Sequence, residues 1–182
     1  MIGSKLFQGP LPKLSLVIGG ARSGKSRLAE SLVTMSARPR VYIATAQAWD
    51  DEMRSKITTH QQDRGADWRT VEAPLDVATE LAKVPAGQVV LLDCATLWLS
   101  NHLLAGHDLV AQSALLRQAL AVCASPVVVV SNEVGWSIVP ENKLARLFQN
   151  AQGRLNQDLA QEADLVLAVI AGLPIVLKSG QP

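Results

Sequence analysis

With 182 residues, the chain has room for one α/β domain with a sizeable core. Its formal charge of +1 offers no electrostatic case for a nucleic acid or an anionic membrane. The longest apolar run, Leu165 to Leu177, contains Pro174 and falls short of the ~20 residues that a bilayer requires, so no transmembrane segment is expected.

Residues 1–13 lack the apolar centre of a signal peptide and read as a loose extension ahead of a single domain, 14–182. With no export signal, the cytoplasm is the expected compartment. Cys94 and Cys123 have neither metal nor redox spacing and read as small buried hydrophobes. Three scattered histidines build no cluster, so no tightly bound protein metal is expected.

The first element, Leu14 to Ile18, is an apolar run with the character of a buried strand. It breaks into Gly19-Gly20-Ala21-Arg22-Ser23-Gly24-Lys25-Ser26, the full phosphate-loop spacing, and a good helix former follows. Glycines let the backbone bring several N–H groups onto one concave surface. The helix start adds the positive end of its dipole. Lys25 supplies a mobile cation for the β- and γ-phosphates, and the Ser26 hydroxyl suits Mg²⁺. The expected ligand is a nucleoside triphosphate with Mg²⁺.

Strand and helix signals then alternate, which predicts a mostly parallel sheet with helices on both faces. Strands are expected at 40–44, at 89–92 ending on Asp93, and at 127–130, a β-branched run expected to be central. Helices are expected at 50–63, 96–105, 109–124 and 142–162, the last with an apolar stripe of Leu144, Phe148, Ala151, Leu155 and Leu159. Two strands, 164–170 and 174–178, are close enough for a terminal antiparallel hairpin.

In such sheets ligands sit beyond the carboxyl ends of the strands. Asp93 stands at one such end and either holds Mg²⁺ through water or caps the next helix. His60 shares a helical stripe with Met53 and Ile57. It reads as a packed histidine, a proton shuttle or a nucleophile toward phosphorus. Arg64, one turn on, suits the same phosphate or a solvated helix end. Glu72, on a short extended stretch before a helix, is a surface acid or an acceptor for guanine N–H groups. Glu133 either polarises a substrate hydroxyl or binds magnesium water, or is an exposed loop carboxylate. Trp136 is an exposed ring for an apolar substrate or for a partner.

Several stretches together resemble one family, the bifunctional adenosylcobinamide kinase / adenosylcobinamide-phosphate guanylyltransferases of adenosylcobalamin assembly. They are 19–26, Tyr-Ile-Ala-Thr-Ala (42–46), Asp-Asp-Glu-Met (50–53) with Ile57, His60 and Arg64, and Leu-Leu-Asp-Cys-Ala-Thr-Leu-Trp-Leu-Ser-Asn (91–101). Ser-Asn-Glu-Val-Gly (131–135), Ile-Val-Pro-Glu-Asn (138–142) and Gly-Arg-Leu-Asn-Gln (153–157) complete the set. The phosphate loop is generic; the His60 segment and the 131–142 block are far more specific.

The resemblance implies a recA-like phosphate-loop NTPase fold and two reactions. ATP or GTP phosphorylates adenosylcobinamide, and GTP then transfers GMP to adenosylcobinamide phosphate through a guanylylated histidine, which matches His60. It implies nucleotide contacts at 19–26, at Ala44, Thr45 and Ala46, at Gln61, Gln62, Asp63 and Arg64, and at Glu72 and Asp93, with Ser26 and Asp93 on the metal. It also implies a homo-oligomer, a trimer. One departure is Ser137, where the family often has glycine; a positive φ there would strain the loop. The rival readings are a phosphate-loop kinase of another small alcohol and a regulatory phosphate-loop NTPase, neither of which requires the His60–Arg64 pair.

Overall fold

Four consecutive valines, Val127–Val130, lie at the centre of the molecule, each fully buried. A run that is β-branched throughout suits a strand covered on both faces, because stiff branched side chains pack well on a pleated surface. The computed structural model describes residues 10–47 and 67–180. In chain order these residues form β1 (Leu14–Gly19), α1 (Lys25–Met35), β2 (Arg40–Ala44), β3 (Trp68–Glu72), α2 (Val77–Ala82), β4 (Val89–Asp93) and α3 (Ala95–Leu104). They continue with α4 (Leu109–Val122), β5 (Val127–Asn132), α5 (Lys143–Glu162), β6 (Leu165–Ile170) and β7 (Leu173–Ser179).

The strands form one sheet in the order β3-β2-β4-β5-β1-β6-β7, with β5 fourth of seven. Neighbouring strands are parallel except β6 and β7, which pair antiparallel. Alternation along the strands divides the core. Val17, Tyr42, Leu91, Val128 and Val130 face α1 through Leu28, Ala29, Leu32 and Val33. Leu16, Ile43, Leu92 and Val129 face the opposite layer, which α2, α3, α4 and α5 cover through Leu81, Leu99, Leu116 and Leu155. The expected parallel sheet with helices on both faces and the expected terminal hairpin are both present.

Three details differ from the sequence reading. The stretch ending at Glu72 is a full strand, β3, paired parallel to β2 along the sheet edge. Its residues are half-buried or exposed, so it lacks the apolar signature of the inner strands. Asp93 does not cap α3; Cys94 does, with its Sγ accepting from Leu97 N–H. Leu144 is 48% exposed, because the first turn of α5 runs ahead of the core that Phe148, Ala151, Leu155 and Leu159 join. The helix expected at 50–63 lies outside the described residues.

The β6–β7 connection is a two-residue turn with both Ala171 and Gly172 at positive φ, 50° and 79°. That combination matches the twist of the flanking strands. The turn also braces the phosphate loop, because Gly172 N–H donates to Ser23 O at 2.8 Å.

Candidate active site: the phosphate loop and the strand ends beside it

The strand ends set the frame. In register across the sheet, Glu72 lies beside Ala44, and Ala44 beside Asp93. One strand further on, β5 ends beside β1, with Asn132 the partner of Gly19. Four strand spacings, about 19 Å, separate the edge strand carrying Glu72 from the strand carrying Gly19.

The loop between β1 and α1 is built from backbone. A Cβ on Gly19 would lie 2.6 Å from Val169 O and 2.6 Å from Ser23 Oγ, so only glycine lets the strand end pass β6. Gly24 has φ 95° and forms the cap of α1 without any side-chain acceptor. The first turn of α1 holds no acidic residue either. By contrast, Asp108 and Asn142 cap α4 and α5 through side-chain oxygens. The first N–H groups of α1 are thus left for an anion, at the positive end of the helix dipole. Lys25 is almost buried, and its Nζ donates to Gly20 O at 3.2 Å, which folds the ammonium over the start of the loop. Ser26 follows it, half-buried in the first turn of α1.

On the other side of the site, Tyr42 Oη donates to Asp93 Oδ2 at 3.2 Å. Thr45 is fully buried and acts as a strut. Its hydroxyl donates to Cys94 O at 2.7 Å and accepts from Cys94 N–H at 2.8 Å. Asn101 Nδ2 then donates both to Thr45 O and to Pro74 O, each at 2.9 Å. The ends of β2, β3 and β4 are thereby stitched together beneath Ala44 and Ala46. Burial, with the Asp93 carboxylate adding to it, pushes the Cys94 thiol up to about 11. Cys94 is therefore an un-ionised core residue at neutral pH, and nothing marks it as a nucleophile.

The loop after β5 is held locally. Glu133 Oε1 accepts from Gly135 N–H at 2.7 Å, and Glu133 N–H donates to Gly19 O at 3.0 Å. Among the described residues, the non-glycine positions at positive φ are Arg22, Ala37 and Ala171, and Ser137 is not one of them. A glycine is not required at 137, and Gln149 Nε2 reaches both Ser137 Oγ and Val134 O. Trp136 is 81% exposed.

Of the residues expected at the site, 19–26, 44–46, 72 and 93 lie along the carboxyl ends of the strands. His60, Gln61, Gln62, Asp63 and Arg64 lie outside the described residues. Sequence reasoning did not single out Tyr42 as the partner of Asp93. It also missed the polar cluster of Thr96, Ser131, Asn132, Gln152 and Asn156. A signal existed for the last two: they stand one turn apart on the face of α5 that carries Leu155 and Leu159.

Among the described residues, no group of three His, Cys, Asp or Glu side chains could hold a metal ion. Magnesium carried by a phosphate needs only one or two protein oxygens. The hydroxyl of Ser26 and the carboxylate of Asp93 are hard oxygen donors of that kind, beside a cradle that a Cβ would fill. Among the described residues, no helix is long and apolar enough to cross a membrane.

Sheet order, glycine cradle and uncapped α1 define the recA-like phosphate-loop NTPase fold. Solved structures share that architecture. The chain aligns with the flagellar accessory protein FlaH of Methanocaldococcus jannaschii at a TM-score of 0.53 and 13% identity, covering 94% of this chain and 81% of that one. It aligns with an ATPase of a bacterial type III secretion system at 0.57 and 10% identity, covering 97% and 61%. Sequence comparison goes further than fold. Residues 15–177 match the family described as cobinamide kinase / cobinamide phosphate guanyltransferase, and the chain belongs to that family. It is 44% identical to the bifunctional adenosylcobalamin biosynthesis protein CobP of Pseudomonas aeruginosa, over 92% of this chain and 98% of that protein. It is 42% identical to the bifunctional adenosylcobalamin biosynthesis protein CobU of Escherichia coli, over 90% and 98%.

Proposed function

We propose that the chain carries both activities of its family, in one cytoplasmic catalytic unit that works as a homo-oligomer, a trimer. It phosphorylates the alcohol of adenosylcobinamide with ATP or GTP. It then transfers GMP from GTP to the resulting phosphate, releasing pyrophosphate and giving adenosylcobinamide-GDP. The observation that carries this reading is the family match over residues 15–177, joined to a phosphate loop whose anion-facing backbone is intact.

In this reading the amides of 19–24 and of the α1 start cradle the phosphates, and Lys25 neutralises charge that develops on them. Ser26 and Asp93 would hold Mg²⁺, which supplies charge neutralisation at the phosphate oxygens. Tyr42 keeps the Asp93 carboxylate aimed. The nucleoside end extends along the strand ends, past Ala44, Thr45 and Ala46, toward Glu72, which accepts from guanine N–H groups. Thr45 contributes by shaping this path from beneath, because it is fully buried and its hydroxyl, N–H and carbonyl are engaged by Cys94, Asp93 and Asn101.

Guanylyl transfer begins when a neutral nitrogen of His60 attacks the α-phosphorus. The bond from that phosphorus to the α,β-bridging oxygen breaks, and pyrophosphate leaves. An oxygen of the corrinoid phosphate then attacks the same phosphorus, and the P–N bond breaks to free His60. Gln61, Gln62, Asp63 and Arg64 line the same nucleotide.

The test is incubation with Mg²⁺ and α-³²P-labelled GTP, without corrinoid, followed by denaturing electrophoresis. An acid-labile, base-stable band that disappears in His60→Ala is the expected result. A label that persists in His60→Ala removes His60 as the nucleophile. The absence of any label, with nucleotide binding intact, favours a plain kinase.

A further inference from the structure

The end of β5 carries a group that the reactions above leave unused. Asn132 stands at the seam between the strand of Asp93 and the strand of Gly19. Its own Cα partner is Gly19, and Val130, two residues earlier, is the partner of Asp93. Side chains hold its peptide from two directions. Asn132 N–H donates to Thr96 Oγ1 at 2.7 Å, in the first turn of α3. Asn132 O accepts from Asn156 Nδ2 at 3.0 Å, on α5.

Both clamps meet at one hydroxyl. Ser131 Oγ donates to Asn156 Oδ1 at 2.6 Å, accepts from Gln152 Nε2 at 3.0 Å and lies 3.4 Å from Thr96 Oγ1. Gln152 Nε2 also donates to Asn156 Oδ1 at 2.9 Å. Thr96, Ser131, Gln152 and Asn156 are all buried. Buried polar groups must be desolvated, and apolar side chains of similar volume fill a core without that cost. What the four gain in exchange is a single fixed orientation for the Asn132 backbone.

The side chain so aimed is not satisfied by the protein. Asn132 Oδ1 is buried and has no hydrogen-bond partner. A buried acceptor without a donor is unfavourable, and at a ligand site the ligand supplies the donor. Lys25 indicates which part of the ligand lies nearby. Its ammonium folds back to Gly20 O, so the loop's cation and Asn132 share the Gly19–Gly20 end of the cradle. A carboxamide oxygen turns away anionic phosphate oxygens and accepts from an O–H. In the kinase step, the alcohol that attacks the terminal phosphate brings such an O–H.

We propose that Asn132 is a catalytic residue of phosphoryl transfer: its Oδ1 accepts a hydrogen bond from the acceptor hydroxyl and aims that oxygen for in-line attack. Thr96, Ser131, Gln152 and Asn156 are the positioning residues that fix Asn132. The assignment rests on the kinase half of the proposed function. In the step, the alcohol oxygen forms a bond to the γ-phosphorus while the bond to the β,γ-bridging oxygen breaks, and the nucleoside diphosphate leaves with the electron pair. The hydroxyl proton passes to an oxygen of the transferred phosphoryl group. The neutral carboxamide orients the hydroxyl and takes no proton.

The test compares Asn132→Ala, Thr96→Val and Thr96→Ser in the full chain by two readouts: kinase kinetics with adenosylcobinamide, and acid-labile labelling by α-labelled GTP without corrinoid. Asn132→Ala keeps both backbone hydrogen bonds, and the labelling reports independently that the fold and the nucleotide site survive. The expected result is a kinase kcat at least ~10-fold lower in Asn132→Ala, with KM for the triphosphate and the labelling close to wild type. Thr96→Val should show the same split to a smaller degree, and Thr96→Ser, which restores the hydroxyl, should recover the rate. A wild-type kcat in Asn132→Ala overturns the assignment. So does a loss of labelling that matches the loss of kinase activity, which would put Asn132 on the nucleotide or its metal. If the wild-type chain phosphorylates no adenosylcobinamide, the kinase reading itself falls and this assignment falls with it.

Discussion

The phosphate loop and the seam behind Asn132 lie on opposite sides of β1 and β5, and they are held by opposite means. The loop is a backbone construction. Its shape comes from Gly19 passing Val169 O, from Gly24 at φ 95° and from Gly172 N–H on Ser23 O. The seam is a side-chain construction, in which Thr96, Ser131, Gln152 and Asn156 converge from α3, β5 and α5. The difference has a thermodynamic meaning. A backbone cradle keeps its N–H groups open toward the ligand, so damage to it should appear in binding. The hydroxyls and amide nitrogens of the seam bond to one another within the protein, with Gln152 Oε1 left unpartnered, so damage to it should appear in stability.

The largest effect should come from the seam. Asn156→Leu removes at once the donor to Asn132 O and the acceptor for Ser131 Oγ and Gln152 Nε2. Asn132 O is orphaned, at a cost of ~1–3 kcal/mol, while Ser131 Oγ and Gln152 Nε2 each lose one of their partners but keep each other, so unfolding free energy should fall by at least that amount. Denaturant titration measures it. Nucleotide affinity per folded molecule should stay within a fewfold of wild type. A variant that folds normally yet fails to bind nucleotide would break the distinction between the two regions.

Gly19→Ala probes the other side. The added methyl meets Val169 O and Ser23 Oγ, both at 2.6 Å, so strand and loop must part. Overpacking of this kind costs ~1–3 kcal/mol. Triphosphate affinity should drop more than stability does, because the displaced amides are those that face the phosphates. Gly20→Ala is the control: nothing lies within 4 Å of the added Cβ. It should leave the melting temperature unchanged. If both variants lose nucleotide equally, the close approach at Gly19 is not what shapes the loop.

The same contrast explains what the sequence discloses. The loop is contiguous, with Gly19 and Gly24 demanded by backbone geometry and Lys25 and Ser26 by phosphate chemistry, so eight positions in a row state the structure. The doubly wound sheet is equally legible, because Val127–Val130 and Leu14–Ile18 carry the apolar run of buried strands. β3 is harder to read. Trp68–Glu72 is an edge strand whose exposed positions carry no such run. The seam is hardest: Thr96 and Asn156 are far apart in the chain, and only the register of β5 between β4 and β1 brings them to one residue. The one local hint is polarity at Gln152 and Asn156 on the buried stripe of α5. The cap of α3 misleads for a chemical reason. Asp93 has the better capping side chain, but it points to Tyr42, and the weaker acceptor Cys94 takes the position.

The smallest effect sharpens the comparison by titration. The seam consists of hydroxyls and carboxamides, whose charge does not change with pH. A second side-chain joint, where α3 grips the segment before α2, contains a group that does titrate. Trp98 Nε1 donates to Leu75 O at 2.9 Å, and His102 Nε2 lies 3.2 Å from the same oxygen. His102 Nδ1 lies 2.8 Å from His107 Nδ1. With Nε2 protonated toward Leu75 O, Nδ1 is left to accept from His107. Burial holds the His102 pKa below its ordinary value, and His107 adds to that. The unfolded chain therefore takes up the proton first. The stability that His102 contributes is complete above about pH 6.5 and is lost as the pH falls through its lower folded value. Melting temperature should accordingly decline on acidification from pH 7.5 to 5.5. His102→Gln, which keeps a donor for Leu75 O and cannot ionise, should show a shallower decline. Parallel curves for the two proteins would mean that the acid sensitivity arises elsewhere, and that the joint to Leu75 behaves like the seam, as a neutral contact.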